Sequence, residues 1–207
     1  MKTDKVVEII QKISDRISKE KLFLTELDNA IGDGDHGINM SRGFEAVKRK
    51  LADASLNSPS DVFKLVGMTL VSTVGGAAGP LYGTAYMNMA KTLNGHEELS
   101  MGDFLAGLES AVEGVKLRGK STTGEKTMLD AMVPALEAMK SGYADGKETK
   151  AVLDEGLSAA SKGVEYTKTI VATKGRASYL GERSLGYQDP GATSFTMMLE
   201  EVKKAVE

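Results

Sequence analysis

Three aspartates, Asp28, Asp33 and Asp35, lie in one short glycine-rich stretch of the sequence. The glycines around them, Gly32, Gly34 and Gly37, allow the backbone to bend sharply and to take positive φ. Residues two apart in an extended turn point the same way, so we expect Asp33 and Asp35 to converge and the bend to return them to Asp28. Because three carboxylates in one place repel one another unless a cation is present, the stretch predicts a site for Mg²⁺, Ca²⁺ or Mn²⁺. Of these ions, Mg²⁺ typically keeps open positions for water and phosphate oxygens.

Two further glycine-rich segments, residues 75–84 and 175–192, contain groups that suit phosphate. The first predicts a tight turn leading into a helix, with Pro80 in the first helical turn and small side chains that leave backbone N–H groups bare. The second carries Arg176 and Arg183, whose guanidinium groups can pair with phosphate, and glycines that allow a lid. The alternatives are a solvated acidic loop at the aspartates, close helix packing at the first segment, and a disordered connector or an ordinary turn at the second.

Known phosphate and calcium motifs also match near these places, but in the wrong context. Residues 32–37 fit the dinucleotide fingerprint, yet a helical pattern precedes them and two aspartates would face an anionic ligand. Residues 114–121 fit the phosphate-loop pattern, yet they follow an amphipathic helix instead of a strand. An EF-hand fails because its sixth position would be Ile38 instead of glycine. Nucleotide binding at this site would therefore depend on metal ions, without a phosphate-loop lysine.

The elements that position these segments are predicted to be helices throughout. Val6, Ile10, Ile13 and Ile17 form one helical face, and similar stripes recur along the chain. Sustained strand-like alternation is hard to find, and Ser100 with Asp103 predicts a capping box. Short links favour antiparallel neighbours, as in a bundle. We therefore predict one all-α domain over residues 1–207, an antiparallel barrel or bundle of about eight amphipathic helices with the glycine-rich segments as loops at one end.

Composition narrows the class of protein further. The 207 residues (22.0 kDa) contain 26 Lys and Arg against 29 Asp and Glu, for a net charge of −3, which disfavours a nucleic-acid binder. The absence of cysteine excludes a disulfide scaffold, a zinc-thiolate site and a cysteine nucleophile, and only 2 histidines exclude a histidine-rich metal site. The N-terminus lacks a signal-peptide pattern and no apolar run is long enough to cross a bilayer, so we expect a cytoplasmic protein without membrane contact. The 11 methionines are expected to fill gaps between helices.

Four parts of the sequence resemble the L subunits of dihydroxyacetone kinases, in the right order and over nearly the whole chain. They are residues 27–40, residues 75–84, Gly119-Lys120 with residues 126–130, and residues 175–181 with 189–192. The resemblance implies a barrel of antiparallel helices with a nucleotide at one end, and two Mg²⁺ bound by Asp28, Asp33 and Asp35. The implied nucleotide contacts are His36, Gly37, Ile38, Asn39, Ala77, Ala78, Gly119, Met128, Arg176, Asp189, Pro190 and Gly191. Ala78 replaces a serine expected in many relatives, which would leave only its backbone N–H for the phosphate.

The resemblance also implies an activity, that of a phosphoenolpyruvate–glycerone phosphotransferase. In that reading the chain retains ADP as a cofactor and cycles it through ATP. It accepts a phosphoryl group from a phosphohistidine on an M subunit of the phosphotransferase system and passes it to dihydroxyacetone bound to a separate K subunit. Other members of the family join both domains in one chain and use ATP; 207 residues leave no room for the second domain, which favours separate subunits. The catalytic groups would be the metals on the three aspartates and Arg176, with no general base in this chain.

Three other functions remain open at this level. One is the nucleotide-binding half of a related kinase, such as a fatty-acid kinase, with exchangeable ATP. Another is a nucleotide-loaded regulatory module that docks on a transcription factor through protein contacts. The third is a helical bundle whose loops bind nothing. The oligomeric state, including a homodimer, the affinities for partners and the preferred triose are not fixed by the sequence.

Overall fold

The computed structural model describes residues 1–206, which form nine α-helices and one 3₁₀ helix. The α-helices are α1 (Thr3–Lys19), α2 (Lys21–Ile31), α3 (His36–Asp53), α4 (Pro59–Thr73), α5 (Ala78–Thr92), α6 (Met101–Gly119), α7 (Leu129–Ala144), α8 (Thr149–Thr167) and α9 (Pro190–Lys204). The 3₁₀ helix spans Arg176–Ser184 and is called the 3₁₀ segment below. Over these residues the only β pairing is a single bridge between Lys2 and Glu98, so the predicted all-α class is confirmed.

Eight of the helices form a closed ring. Each of α3 to α8 packs against the next helix in the chain, α9 returns to α1, and α1 packs against α3. The short links after α3, α4 and α7 force neighbours to run in opposite directions. Helix α2 stands outside the ring at one end, where it contacts α3, α9 and the 3₁₀ segment. The predicted antiparallel barrel of about eight helices is therefore confirmed.

The ring encloses an apolar core that the helical stripes supply. The stripe Val6, Ile10, Ile13 and Ile17 is at most 2% exposed, and methionines from α3, α5, α7 and α9 are buried in the same cluster. The predicted capping box is present at α6, where Ser100 Oγ accepts from Asp103 N (3.1 Å) and Asp103 Oδ2 accepts from Ser100 N (2.8 Å). Among residues 1–206, no helix has the length and apolarity that crossing a membrane would require.

Gly163 permits a close approach between α8 and α7. A Cβ atom there would overlap the carbonyl oxygen of Asp130 and crowd the Cα of Ala131, both of them backbone atoms. Overpacking typically costs 1–3 kcal/mol, against a gain in helix propensity of about 1 kcal/mol. We expect Gly163→Ala to lower the free energy of unfolding in urea by about 2 kcal/mol. The exposed Ser161→Ala on the same helix should change it by less than about 0.5 kcal/mol. Equal stability of the two variants would contradict this packing.

Candidate functional site

The end of the barrel that carries α2 opens into a large cavity. The first residues of α3, α5 and α9, the last residue of α6 and the loop before α7 line it together with the 3₁₀ segment. All three glycine-rich segments of the sequence contribute to this lining, as expected for loops at one end of a bundle. The volume is about 950 Å³, near the upper limit for pockets that hold small molecules and cofactors. The cavity therefore has room for a nucleotide.

The three aspartates of the first segment converge at this cavity. One carboxylate oxygen of each of Asp28, Asp33 and Asp35 lies within 4.8 Å of the others. Gly34 turns the chain between them with φ +72°, a backbone conformation in which a side chain would also collide with Asn29. The convergence predicted from the spacing is thus what the backbone produces, and the three residues are called the acidic cluster below.

Asp28 is held in place by the helix that it caps. Its Oδ2 accepts hydrogen bonds from Asp35 N (2.8 Å) and His36 N (3.1 Å) at the N-terminus of α3. A carboxylate at this position is stabilised by the free N–H groups and by the helix dipole. Its second oxygen, Oδ1, lies over Gly32, where a Cβ atom would overlap it. Asp28 therefore presents one oxygen at a fixed position while the other oxygen binds backbone.

His36 follows the cluster but its ring points away from it. Nε2 lies 3.0 Å from Ser194 Oγ, which in turn is 2.8 Å from the hydroxyl of Tyr82. The Tyr82 hydroxyl donates to the carbonyl of Gly191 (3.1 Å), so this chain of contacts joins α3, α5 and α9. Burial lowers the pKa of His36 to about 4, and the ring is neutral at neutral pH. The groups at this place that could bind a metal ion are therefore carboxylate oxygens, the ligands that Mg²⁺ prefers.

The turn before α5 faces the acidic cluster. Gly76 has φ +65°, and a Cβ there would lie 3.9 Å from both carboxylate oxygens of Asp35. Ala77 is exposed and Ala78, the first residue of α5, is partly exposed, so the backbone of this helix N-terminus is accessible. Close packing, the alternative interpretation, applies to Gly79, where a Cβ would overlap the carbonyl of Val74. The segment thus leaves backbone accessible at Ala77 and Ala78 and allows close helix packing at Gly79.

Arg176 brings a cation to the acidic cluster from across the cavity. Its Nε lies 2.8 Å from Asp33 Oδ2, and its side chain is 63% exposed. Arg183, the other arginine of the segment, is exposed and does not line the cavity. The sequence predicted an end loop here, whereas the structure has a 3₁₀ helix kinked at Gly181. The reason is a small apolar cluster of Ile31, Ala172, Ala177 and Leu180 that packs the segment against α2.

Asp189 caps α9 at the inner wall of the cavity. Its Oδ2 accepts a hydrogen bond from Ala192 N (2.6 Å), and Pro190 occupies the first helical turn. Residues 189–191 therefore also form an ordinary helix start, which was the alternative interpretation of this segment. Burial raises the pKa of this carboxyl to about 7; the hydrogen bond from Ala192 N and the charge of Lys126 oppose the rise, and Asp130 and Asp28 add to it. The wall beside α9 therefore holds a carboxyl that titrates near neutral pH.

The other residues implied as nucleotide contacts divide into two groups. Those that line the cavity are His36, Ala77, Ala78, Gly119, Met128, Arg176, Asp189, Pro190 and Gly191. Gly37, Ile38 and Asn39 follow in the first turn of α3 outside this lining. Gly37 packs against α2, where a Cβ would overlap the carbonyl of Lys21, and Asn39 Oδ1 accepts from Arg42 Nη2 (2.7 Å). For both groups, nucleotide contact stays a prediction.

Sequence reasoning missed Lys126, a lining residue that is only 1% exposed. Its side chain donates to backbone carbonyls that are far away in the sequence, so no local spacing indicates it. The sequence offers only one indication: Lys126 lies two residues before Met128, an implied nucleotide contact, in a segment without an apolar stripe.

Comparisons with known proteins give one consistent family. Residues 30–204 match the DAK2 domain. The "PEP-dependent dihydroxyacetone kinase 1, ADP-binding subunit DhaL" of Listeria innocua is 43% identical over 91% of this chain and 89% of its own length. The corresponding DhaL subunit of Escherichia coli K12 is 40% identical over 94% of this chain and 93% of its own.

A solved structure gives the same fold. The dihydroxyacetone kinase of C. freundii in complex with AMP-PNP and Mg²⁺ superimposes with a TM-score of 0.71 at 24% sequence identity. The superposition covers 96% of this chain and 33% of that longer chain. The helical barrel is therefore shared with one part of a larger protein.

Proposed function

Because the chain belongs to the DAK2 domain family, we propose that it is the nucleotide-carrying subunit of a dihydroxyacetone kinase, and that residues 1–207 act as one domain. The observation that carries the proposal is the meeting of the acidic cluster, Arg176 and the α5 N-terminus at one cavity of nucleotide size. The relatives named as ADP-binding subunits match over most of their own length, which supports ADP as the resident nucleotide.

The acidic cluster fits divalent magnesium by its chemistry. Asp28, Asp33 and Asp35 offer hard oxygen ligands with no competing nitrogen or sulfur, and Asp28 is already oriented by two backbone N–H groups. We propose that these three residues hold two Mg²⁺, the number that the resemblance to the L subunits of dihydroxyacetone kinases implies. When bound, the ions would orient the phosphate oxygens and neutralise the charge that develops on a transferred phosphoryl group.

The chain's own groups supply the rest of the phosphate environment. The bare N–H groups of Ala77 and Ala78 stand at the positive end of α5 beside Asp35. Arg176 reaches the acidic cluster from the opposite side, where it pairs with Asp33 while most of its side chain is exposed. The only nearby histidine, His36, is buried and engaged with Ser194, so we assign no general base here. The acceptor hydroxyl would have to arrive already activated on another protein.

If this chain supplies only the nucleotide site, the phosphoryl donor and the acceptor must come from two partner proteins. We propose that a phosphohistidine of an M subunit of the phosphotransferase system donates the phosphoryl group to bound ADP. A K subunit then presents dihydroxyacetone at the same opening. The exposure of Arg176 and Asp33 at the mouth of the cavity supports access by another macromolecule. The chain would thus be a phosphoryl carrier between two partners.

Metal removal tests the proposed cofactor mode directly. We expect the purified protein to retain ADP through dialysis against Mg²⁺-containing buffer and to lose it on dialysis against a chelator, because the carboxylates bind diphosphate only through the cation. Released and retained nucleotide would be quantified by ion-exchange chromatography, and added Mg²⁺ with ADP should restore the complex.

Three outcomes would contradict this expectation. ADP that stays bound after complete chelation would remove the metal from the proposal. Nucleotide that exchanges freely in Mg²⁺ would favour a kinase that uses ATP as an ordinary substrate, as in the fatty-acid kinase alternative. Protein that binds no nucleotide under either condition would refute the proposed function itself.

A further inference from the structure

The loop between α6 and α7 contains a buried lysine that the proposed chemistry does not use. Lys126 is only 1% exposed, and its backbone takes the left-handed conformation with φ +60°. The side chain of Asp130 sets this backbone, because its two oxygens accept from Gly124 N (2.5 Å) and Thr127 N (2.8 Å). The loop is therefore built so that the Lys126 side chain points into the protein.

The ammonium group of Lys126 binds backbone carbonyls from two distant places. Nζ donates to the carbonyls of Thr167 and Tyr187, each at 2.5 Å, and lies 3.4 Å from that of Ile170. Thr167 ends α8 and precedes the 3₁₀ segment, whereas Tyr187 follows it. Residues 168–187, called the strap below, thus leave and return to the same ammonium group. The strap carries Arg176.

The strap has a second buried attachment, the small apolar cluster that packs Ala172, Ala177 and Leu180 against Ile31 of α2, and its other contacts are weaker. Gly186 N donates to the carbonyl of Lys168 (2.8 Å), which pairs the two ends of the strap with each other. A further bond runs from Thr173 N to the carbonyl of Glu125 (3.3 Å), in the same loop as Lys126. Both are backbone hydrogen bonds between an exposed residue and a partly exposed one, and each is a neutral interaction. The bonds from the buried ammonium are charge-assisted and correspondingly stronger.

The charge of Lys126 is balanced mainly by dipoles. Among residues 1–206 no carboxylate lies within 4.0 Å of Nζ, although Asp189 and Asp130 are near enough to raise its pKa while burial lowers it. The Thr167 carbonyl stands at the negative end of α8, where a cation is stabilised. Without the lysine, the buried carbonyl of Thr167 and the partly buried carbonyls of Ile170 and Tyr187 would lose this donor, and a buried unpaired group carries a penalty. The ammonium and the strap ends therefore depend on each other.

We propose that Lys126 is a positioning residue that fastens the strap across the cavity, so that Arg176 is held at the acidic cluster. The proposal rests on the proposed nucleotide site, since the effect on ligand is exerted through Arg176. Lys126 itself need not touch nucleotide. It sets how long the strap stays closed, and with it how long bound ADP is retained.

The variant Lys126→Met tests this role because it keeps the apolar stem and removes the donors. In nucleotide-free protein, we expect amide hydrogen exchange across residues 168–187 to quicken by at least about tenfold, read by mass spectrometry. In protein loaded with Mg²⁺ and ADP, we expect the ADP dissociation rate to rise by at least about tenfold, the usual effect of losing a supporting contact around a site. If Lys126→Met does not fold, Lys126→Gln keeps one donor without the charge and should show both effects at smaller size.

Two variants serve as matched controls. Lys120→Met removes the other left-handed lysine of the same loop, which has φ +47° and is exposed, and should leave both rates unchanged. Val62→Ala weakens the core away from the cavity and should lower the unfolding temperature without a specific change in the strap.

The outcomes separate this inference from the proposed function. If Lys126→Met lowers the unfolding temperature, as Val62→Ala does, but leaves exchange in the strap and ADP dissociation at wild-type values, the lysine is only structural and the inference is overturned. If the wild-type protein binds no ADP, the proposed function fails. In that case the exchange measurement on nucleotide-free protein still decides whether Lys126 fastens the strap.

Discussion

Exchanging Asp33 for asparagine should lower the affinity for ADP in the presence of Mg²⁺ by on the order of 100-fold or more, because a metal ligand is lost. The exchange keeps the shape of the side chain and removes one negative charge from the acidic cluster. Asp33 is the best choice among the three aspartates, since Asp28 also caps α3 whereas Asp33 is exposed and pairs only with the side chain of Arg176. Titration calorimetry with and without Mg²⁺ would measure the loss.

The control for this experiment is an aspartate at the opposite end of α3, the helix that follows the acidic cluster. Asp53, exposed at the far end of α3, can be changed to asparagine with the same loss of charge and no expected loss of affinity. Without Mg²⁺, the wild-type protein and Asp33→Asn should bind ADP equally weakly. A wild-type affinity in Asp33→Asn, or a loss of equal size with and without Mg²⁺, would contradict metal binding by this carboxylate.

Replacing Arg176 with glutamine should reduce the rate of phosphoryl transfer by about 100-fold, the effect of losing one donor to developing negative charge. Because exposed ion pairs contribute little to stability, the unfolding temperature should hardly change. Transfer would be measured in a single turnover, from ATP-loaded protein to dihydroxyacetone on the K subunit. The retention of ADP should change less than the rate, since metal contacts would remain.

Arg183 offers the matched control for this variant. It lies on the same 3₁₀ segment, is exposed and does not line the cavity, so Arg183→Gln should transfer at the wild-type rate. If both variants lost the same activity, the segment would act through its overall charge. If neither did, Arg176 would have no part in the transfer.

The sequence predicted the helices and the convergence of the acidic cluster because both depend on local rules. Apolar spacing determines which face of α1 is buried, and the glycines around Asp33 and Asp35 determine how the chain turns. It could not predict that α2 stands outside the ring, because periodicity identifies a buried face but not the neighbour that covers it.

The parts of the site that escaped prediction depend on contacts between distant residues. His36 is joined to Ser194 and Tyr82, which come from two other helices, and so its ring is unavailable to the acidic cluster. Lys126 can be buried because carbonyls at both ends of the strap accept hydrogen bonds from its ammonium group. The 3₁₀ segment is ordered by a few small apolar residues that are too sparse to form a stripe.

The alternating direction of the helices in the ring has an electrostatic consequence for the mouth of the barrel. Helices α3, α5, α7 and α9 all begin at that end, and each contributes roughly half a positive charge there. Together these helix ends act as a built-in counter-ion, which offsets part of the repulsion among the aspartates. The cavity can consequently keep its shape while nucleotide and cation leave, so that reloading needs no refolding of the surrounding wall.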